Sequence, residues 1–197
     1  MELIFLKSSL YFVRHAHSAY TPEELERPLS VQGMEDAKFV TECLKQEKID
    51  FIVSSPYKRA IQTVEGISNY CGKKIEIYND LRERTLSLEP VSDFKHAITK
   101  LWEDNHFSWE GGESNIVAQR RGVAITLHLL EKYEGKNIVI GSHGNLMVLI
   151  MNYFDKKYDI QFWNNLAMPD IYKLDFEAKE LVEVTRIWRD STTISSR

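Results

Sequence analysis

Three short apolar runs in this chain end the same way, and that recurrence limits the fold more than anything else in it. The run Leu10-Tyr11-Phe12-Val13 stops at Arg14-His15-Ala16-His17-Ser18. Phe51-Ile52-Val53 runs into Ser54-Ser55-Pro56-Tyr57-Lys58-Arg59, and Asn137-Ile138-Val139-Ile140 runs into Gly141-Ser142-His143-Gly144-Asn145. Each is a β-prone segment followed by small residues, a cationic or imidazole side chain, and then a helical pattern. In open α/β sheets ligands sit beyond the carboxyl ends of the strands. If the three strands are parallel neighbours, Arg14, His15, Arg59 and His143 gather in one crevice, which is an anion site containing a nucleophile.

The elements between these runs fit that plan. Residues 21–28 are polar with two prolines and read as a loop over the site. Ser30 is placed to cap a helix whose apolar positions are Met34, Ala37, Phe39, Val40, Cys43 and Leu44. Pro56 suits a first helical turn, and the helix beyond it runs to about Tyr70 with Gly72 as its stop. Arg59 falls in its first turn, where N–H groups and the helix dipole favour an anion. Residues 75–78 form a third strand leading to Leu81-Arg82-Glu83-Arg84.

The aromatic-rich segment of about 84–110 does not look like core and is read as a small cap shaping substrate entry. A long amphipathic helix is expected over 115–133, and a helix apolar nearly all round over 145–154. Residues 171–176 and 181–188 alternate in polarity around Glu177-Ala178-Lys179-Glu180, as an antiparallel hairpin at a sheet edge does. The expected fold is therefore an α/β three-layer αβα sandwich with a mostly parallel central sheet, an antiparallel C-terminal hairpin and a small cap insertion. Residues 1–190 make one catalytic domain, and 191–197 a disordered tail.

Composition narrows the partners. At 197 residues and 43% hydrophobic content the chain has enough core for one domain. Its net charge of −4 argues against nucleic acid, which is held by surplus Lys and Arg over a face. A local cationic crevice in an acidic protein points instead to a small anionic ligand. No apolar run approaches the roughly 18 residues of a membrane span. The opening residues 1–6 are too short for a signal-peptide core, so a cytoplasmic location is expected. Cys43 and Cys71 sit in helical patterns without pairing logic and are read as reduced and packed.

Phosphoryl transfer needs in-line positioning and positive charge around three oxygens more than covalent help. Two arginines and a second histidine supply that charge, because a guanidinium fork matches phosphate geometry. A neutral His15 among them can attack phosphorus and hold it as a phosphohistidine. A general acid must then protonate the departing alkoxide, and Glu83 leaves the third strand at the correct end of the sheet. A bound phosphate dianion favours the protonated carboxyl that this role requires. Glu110 and Glu113 are the fallbacks, Glu113 being equally readable as part of a helix N-terminus.

In this order, Arg14-His15, Ser54-Ser55-Pro56 leading to Arg59-Ala60-Ile61-Gln62-Thr63, Leu81-Arg82-Glu83, Gly112-Glu113-Ser114 and Ser142-His143-Gly144 resemble the motifs of the histidine phosphatase superfamily, the phosphoglycerate-mutase-like proteins. The resemblance spans about residues 10–188. It implies His15 as the phosphorylated nucleophile, Arg14, Arg59 and His143 as phosphate ligands, Glu83 as proton donor, and no metal or other cofactor. Two positions depart from the family's first motif, where a glycine and then an acidic or amide residue are usual and Ala16 and His17 stand here. Alanine is tolerated unless the backbone needs positive φ or close approach. His17 is open between a structural and a substrate-contacting role, and Ser18 and Gly144 are further possible substrate contacts.

Rival chemistries lack their residues. Ile49 and Ile77 stand where a cysteine phosphatase would carry arginine, and there is no Asp-x-Asp pair or Gly-Lys-Ser/Thr loop. His15-x-His17 as half of a metal-hydrolase site would need a larger barrel and more ligands. Arg120 and Arg121 are read as solvated or structural, and His96, His106 and His128 as surface or cap residues. The family's mutases carry a longer, basic insertion after the residue matching Glu83, whereas this one is short and aromatic. The expected activity is therefore phosphomonoester hydrolysis on a small metabolite, by a monomer or homodimer. Mutase-type transfer and a non-catalytic phosphate-binding regulatory module are the alternatives.

Overall fold

The computed structural model describes residues 6–189, so the tail expected at 191–197 lies outside the described residues. In chain order the elements are β1 (Lys7–Arg14), α1 (Val31–Leu44), β2 (Phe51–Ser54), α2 (Lys58–Cys71) and β3 (Ile75–Ile77). A 3₁₀ turn (Asn79–Leu81) precedes α3 (Phe94–Glu103), α4 (Asn115–Lys132), β4 (Asn137–Ser142), α5 (Gly144–Phe154) and α6 (Ile160–Asn164). The hairpin β5 (Asp170–Glu177) and β6 (Glu180–Arg186) completes the fold.

One six-stranded sheet runs in the order β3-β2-β4-β1-β5-β6. The first four strands are mutually parallel, and β5 is antiparallel to both β1 and β6. The three strands singled out by sequence, β2, β4 and β1, are thus parallel neighbours. Arg14 lies opposite Ser142, and Ser54 opposite Gly141.

Successive side chains of a strand face opposite ways, and in β1 both directions lead into core. Leu10 and Phe12 join Val53, Ile138, Ile140, Leu174 and Phe176 under Leu129 and Leu130 of α4 and Leu146 and Ile150 of α5. Tyr11 and Val13 point the other way, to Ile52, Val139 and Ile171 beneath Val40 and Leu44 of α1 and Val64 and Ile67 of α2. One strand buries both faces, which makes three layers and accounts for the unbroken apolar run. Helix α5 is buried at every residue from 144 to 151, as its all-round apolarity requires.

Local signals set the ends of the helices. Ser30, Asp93, Ser114 and Asp159 cap α1, α3, α4 and α6 through side-chain oxygens. Gly72 ends α2 at φ 62°, a left-handed position that suits glycine. Cys43 and Cys71 are free, half-buried, and packed against the α1/α2 core.

Two expectations need correction, and one element was not foreseen. Met34 is 44% exposed, because the buried face of α1 runs through Gly33, Ala37, Val40, Thr41 and Leu44 instead. The cap segment is not detached from the core: Ala97, Ile98 and Leu101 of α3 are buried, and Trp102 packs against the main cluster. Its amphipathic stripe is only three turns long and is flanked by polar loops, which masks it in sequence. Helix α6 is not expected from the sequence, since it carries no buried residue to reveal it. Among the described residues, no helix is long and apolar enough to cross a membrane.

Candidate active site

The carboxyl ends of β1, β4 and β2 are stitched together by backbone bonds. The N–H of His15 donates to Ser142 O, and that of Ser55 to Gly141 O. These bonds extend the ladder by one residue past each strand and bring His15, His143 and the start of α2 to one place.

His15 is buried, and its Nδ1 lies 2.8 Å from Ala16 O. That contact requires the proton on Nδ1, which leaves the Nε2 lone pair free. Arg59, in the first turn of α2, donates from Nε to this Nε2 across 3.2 Å. Burial, followed by the positive charge of Arg59, pushes the His15 pKa down to about 3, with Arg14 and Arg27 acting in the same direction. The imidazole is therefore neutral at physiological pH, as attack on phosphorus requires.

His143 is fully buried, its ring centroid 5.2 Å from that of His15 and 4.9 Å from that of Tyr57. Its Nε2 pairs with Ser55 Oγ at 2.8 Å, while Nδ1 is buried with no partner. Burial, and then the charges of His15 and Arg59, hold its pKa well below the ordinary histidine value. Buried polar atoms are normally paired, so the orphaned Nδ1 marks a place for a ligand atom.

Arg14 donates from Nη1 to the carbonyls of Leu166 and Ala167, each at 3.0 Å, and its Nε is buried without a partner. Asp170 holds that carbonyl pair in place by accepting the N–H of Ala167 at 2.9 Å. Gly144 contributes by what it lacks: a Cβ there would stand 2.9 Å from Arg14 Nε. Glycine lets the guanidinium lie flat over the start of α5.

Glu83 sits at the N-terminus of α5. Its Oε1 accepts the N–H of Arg84 at 2.9 Å and of Leu146 at 3.1 Å, and its Oε2 that of Asn145 at 3.3 Å. Arg84 is buried beside it, bonded to Asn115 and to Asn145 Oδ1. The fallback Glu113 is committed elsewhere, gripped by Arg121 at 2.9 and 3.0 Å and by Arg82 at 3.3 Å. That pairing makes Arg121 structural, while Arg120 is exposed. Glu110 lines a cavity in the cap together with Glu89, Asp93 and Trp109.

The remaining candidates make these contacts within the protein. His17 is exposed and pairs through Nδ1 with Ser30 Oγ, the cap of α1, at 2.8 Å. Ser18 bridges to Leu29, closing the base of the loop above the site. Ala16 is buried, donates its N–H to Thr63 Oγ1 at 3.0 Å, and is not among the positive-φ residues. Two residues that sequence reasoning missed also reach the site. Glu24 accepts from Arg59 through both its backbone and its side chain, and Arg27 pairs with Glu24. They lie in a loop whose path no local signal specifies.

A model of the histidine phosphatase superfamily, branch 1, matches residues 10–187. The chain belongs to that superfamily. Among curated relatives, the phosphoglycerate mutase-like protein 4 of Arabidopsis thaliana is 28% identical over 81% of this chain and 86% of its own. Phosphoserine phosphatase 1 of Hydrogenobacter thermophilus is 26% identical over 68% of this chain and 70% of its own. The histidine phosphatase fold recurs in a mycobacterial glucosyl-3-phosphoglycerate phosphatase, with a TM-score of 0.74 and 20% identity over 91% of this chain and 97% of that one.

Proposed function

We propose that this protein is a phosphomonoester hydrolase that acts on small phosphorylated metabolites through a phosphohistidine on His15. The observation that carries the reading is Arg59 Nε placed 3.2 Å from His15 Nε2, with the His143 ring centroid 5.2 Å from that of His15. The related proteins include a phosphoserine phosphatase and a glucosyl-3-phosphoglycerate phosphatase, which supports hydrolysis of such esters.

The chemistry is built from these contacts. Phosphate oxygens take the donors of Arg14 and Arg59, whose charge neutralises that around phosphorus, and an N–H from the orphaned Nδ1 of the neutral His143. His15 Nε2 attacks phosphorus, and the ester P–O bond breaks as the alkoxide leaves. Glu83, as general acid, gives that alkoxide its proton. The carboxylate then takes a proton from water, whose oxygen attacks the phosphohistidine and releases inorganic phosphate and free His15. The bond from Nδ1–H to Ala16 O steadies the positive ring while it carries the phosphoryl group.

No metal enters these steps, and we place the reaction in the cytoplasm. Steady-state hydrolysis of an aryl phosphate tests the proposal. Turnover should persist with a chelator, vanish in His15→Ala, and pass through an acid-labile phosphate on His15. Phosphate binding without turnover would instead identify a regulatory module.

A further inference from the structure

The loop between Ser18 and Leu29 is clamped at its base by Ala19 N–H to Pro28 O and Ser30 N–H to His17 O, both 2.9 Å. Its far side is fixed to α2 by Lys58 N–H to Leu25 O. At this point Glu24 crosses the active site. Its carbonyl accepts Arg59 Nη1 at 2.9 Å and its Oε1 accepts Arg59 Nη2 at 3.3 Å, while Oε2 lies 3.0 Å from Arg27 Nη1. One carboxylate therefore bridges two guanidinium groups, and one of these also contacts the nucleophile.

The two ends of that bridge differ in freedom. The Glu24 side chain is 53% exposed and can swing away. Arg27 is held: Nη2 donates to Thr21 O at 3.1 Å, the guanidinium lies 4.9 Å from the Tyr20 ring centroid, and Nε is buried without a partner. A phosphate dianion arriving on Arg59 repels the carboxylate already there. Once Glu24 leaves, Arg27 is a mostly buried cation without its anion, which is costly. A substrate that carries its own carboxylate restores the pair. Arg14 and Arg59 already balance the two charges of the phosphate, so Arg27 is surplus to the phosphate.

We propose that Arg27 receives a carboxylate borne by the substrate close to its phosphate, and that Glu24 holds that place in the free enzyme. This rests on the hydrolase reading and narrows its substrates to phosphorylated hydroxy or amino acids. The test compares kcat/KM for phosphoserine and phosphoethanolamine, which differ by the carboxylate alone, with an aryl phosphate as control. Wild type should prefer phosphoserine by about tenfold or more, the value of one charge-assisted contact. Arg27→Gln should bring that preference close to unity, with Arg27→Lys in between. Glu24→Gln should lower the inhibition constant of inorganic phosphate several-fold.

Equal loss on both substrates in Arg27→Gln would make Arg27 a phosphate ligand and overturn the proposal, as would an unchanged preference. If folded wild type leaves the aryl phosphate intact, the hydrolase reading fails by itself. Calorimetric binding of phosphoserine against phosphoethanolamine then still decides the role of Arg27.

Discussion

Arg59 Nε donates to His15 Nε2 across 3.2 Å, so the atom proposed to attack phosphorus is held by a donor proposed to bind the phosphate. Guanidinium and imidazole come from different strand ends, and the first turn of α2 sets their spacing. Arg59→Gln removes the fixed charge and keeps part of the length. We expect kcat/KM for an aryl phosphate to fall by roughly 10²–10³, the usual cost of losing one preorganised donor. An unchanged value would mean that the phosphate binds elsewhere.

The buried histidines make stability depend on pH with a definite sign. His15 has a folded pKa of about 3, and His143 lies well below its ordinary value of 6.5. The unfolded chain therefore takes up two protons that the folded one refuses as pH falls below 6.5. Stability is fully present above that value and is lost toward acid at about 1.4 kcal/mol per pH unit for each histidine. Urea unfolding at pH 5, 6 and 7 should show this slope, and His15→Asn should remove about half of it.

Glu83 accepts three backbone N–H groups, two of them at the start of α5. Glu83→Gln keeps the shape and cannot donate the proton. Its kcat on an alkyl phosphate should drop by about 10²–10⁴. The drop should be much smaller with a nitrophenyl ester, whose leaving group departs without protonation. Equal losses on both esters would point to a binding role. A thermal melt accounts for the amide group that now faces a backbone donor.

Ala178 turns the β5–β6 hairpin at φ 52°, a left-handed conformation in which a Cβ is strained. Ala178→Gly should raise stability by about 0.5–1 kcal/mol and leave kinetics alone. Denaturant unfolding measures it, and a loss of stability would show that the turn is relaxed with alanine.

The three strand ends, the cap Ser30, the stop at Gly72 and the order of the motifs were legible in the chain. Each depends on residues within a few positions of one another. The same holds for Arg14, His15, Arg59 and His143, since a strand that ends in a charge advertises where it ends. Glu83 was a candidate from the exit of the third strand, with Glu110 and Glu113 as fallbacks, because a carboxylate after a short edge strand has many uses.

What sequence determined alone was the periodicity of burial, and with it the strands, the helices and the polar groups at their ends. Tertiary structure decided which of those groups face each other. It assigned His17 to the cap of α1, Glu113 to Arg121, and Glu24 to the space between Arg59 and Arg27. The physical reason is range: backbone propensity acts within a few residues, whereas a buried charge takes whichever partner the packed layers bring within about 3 Å.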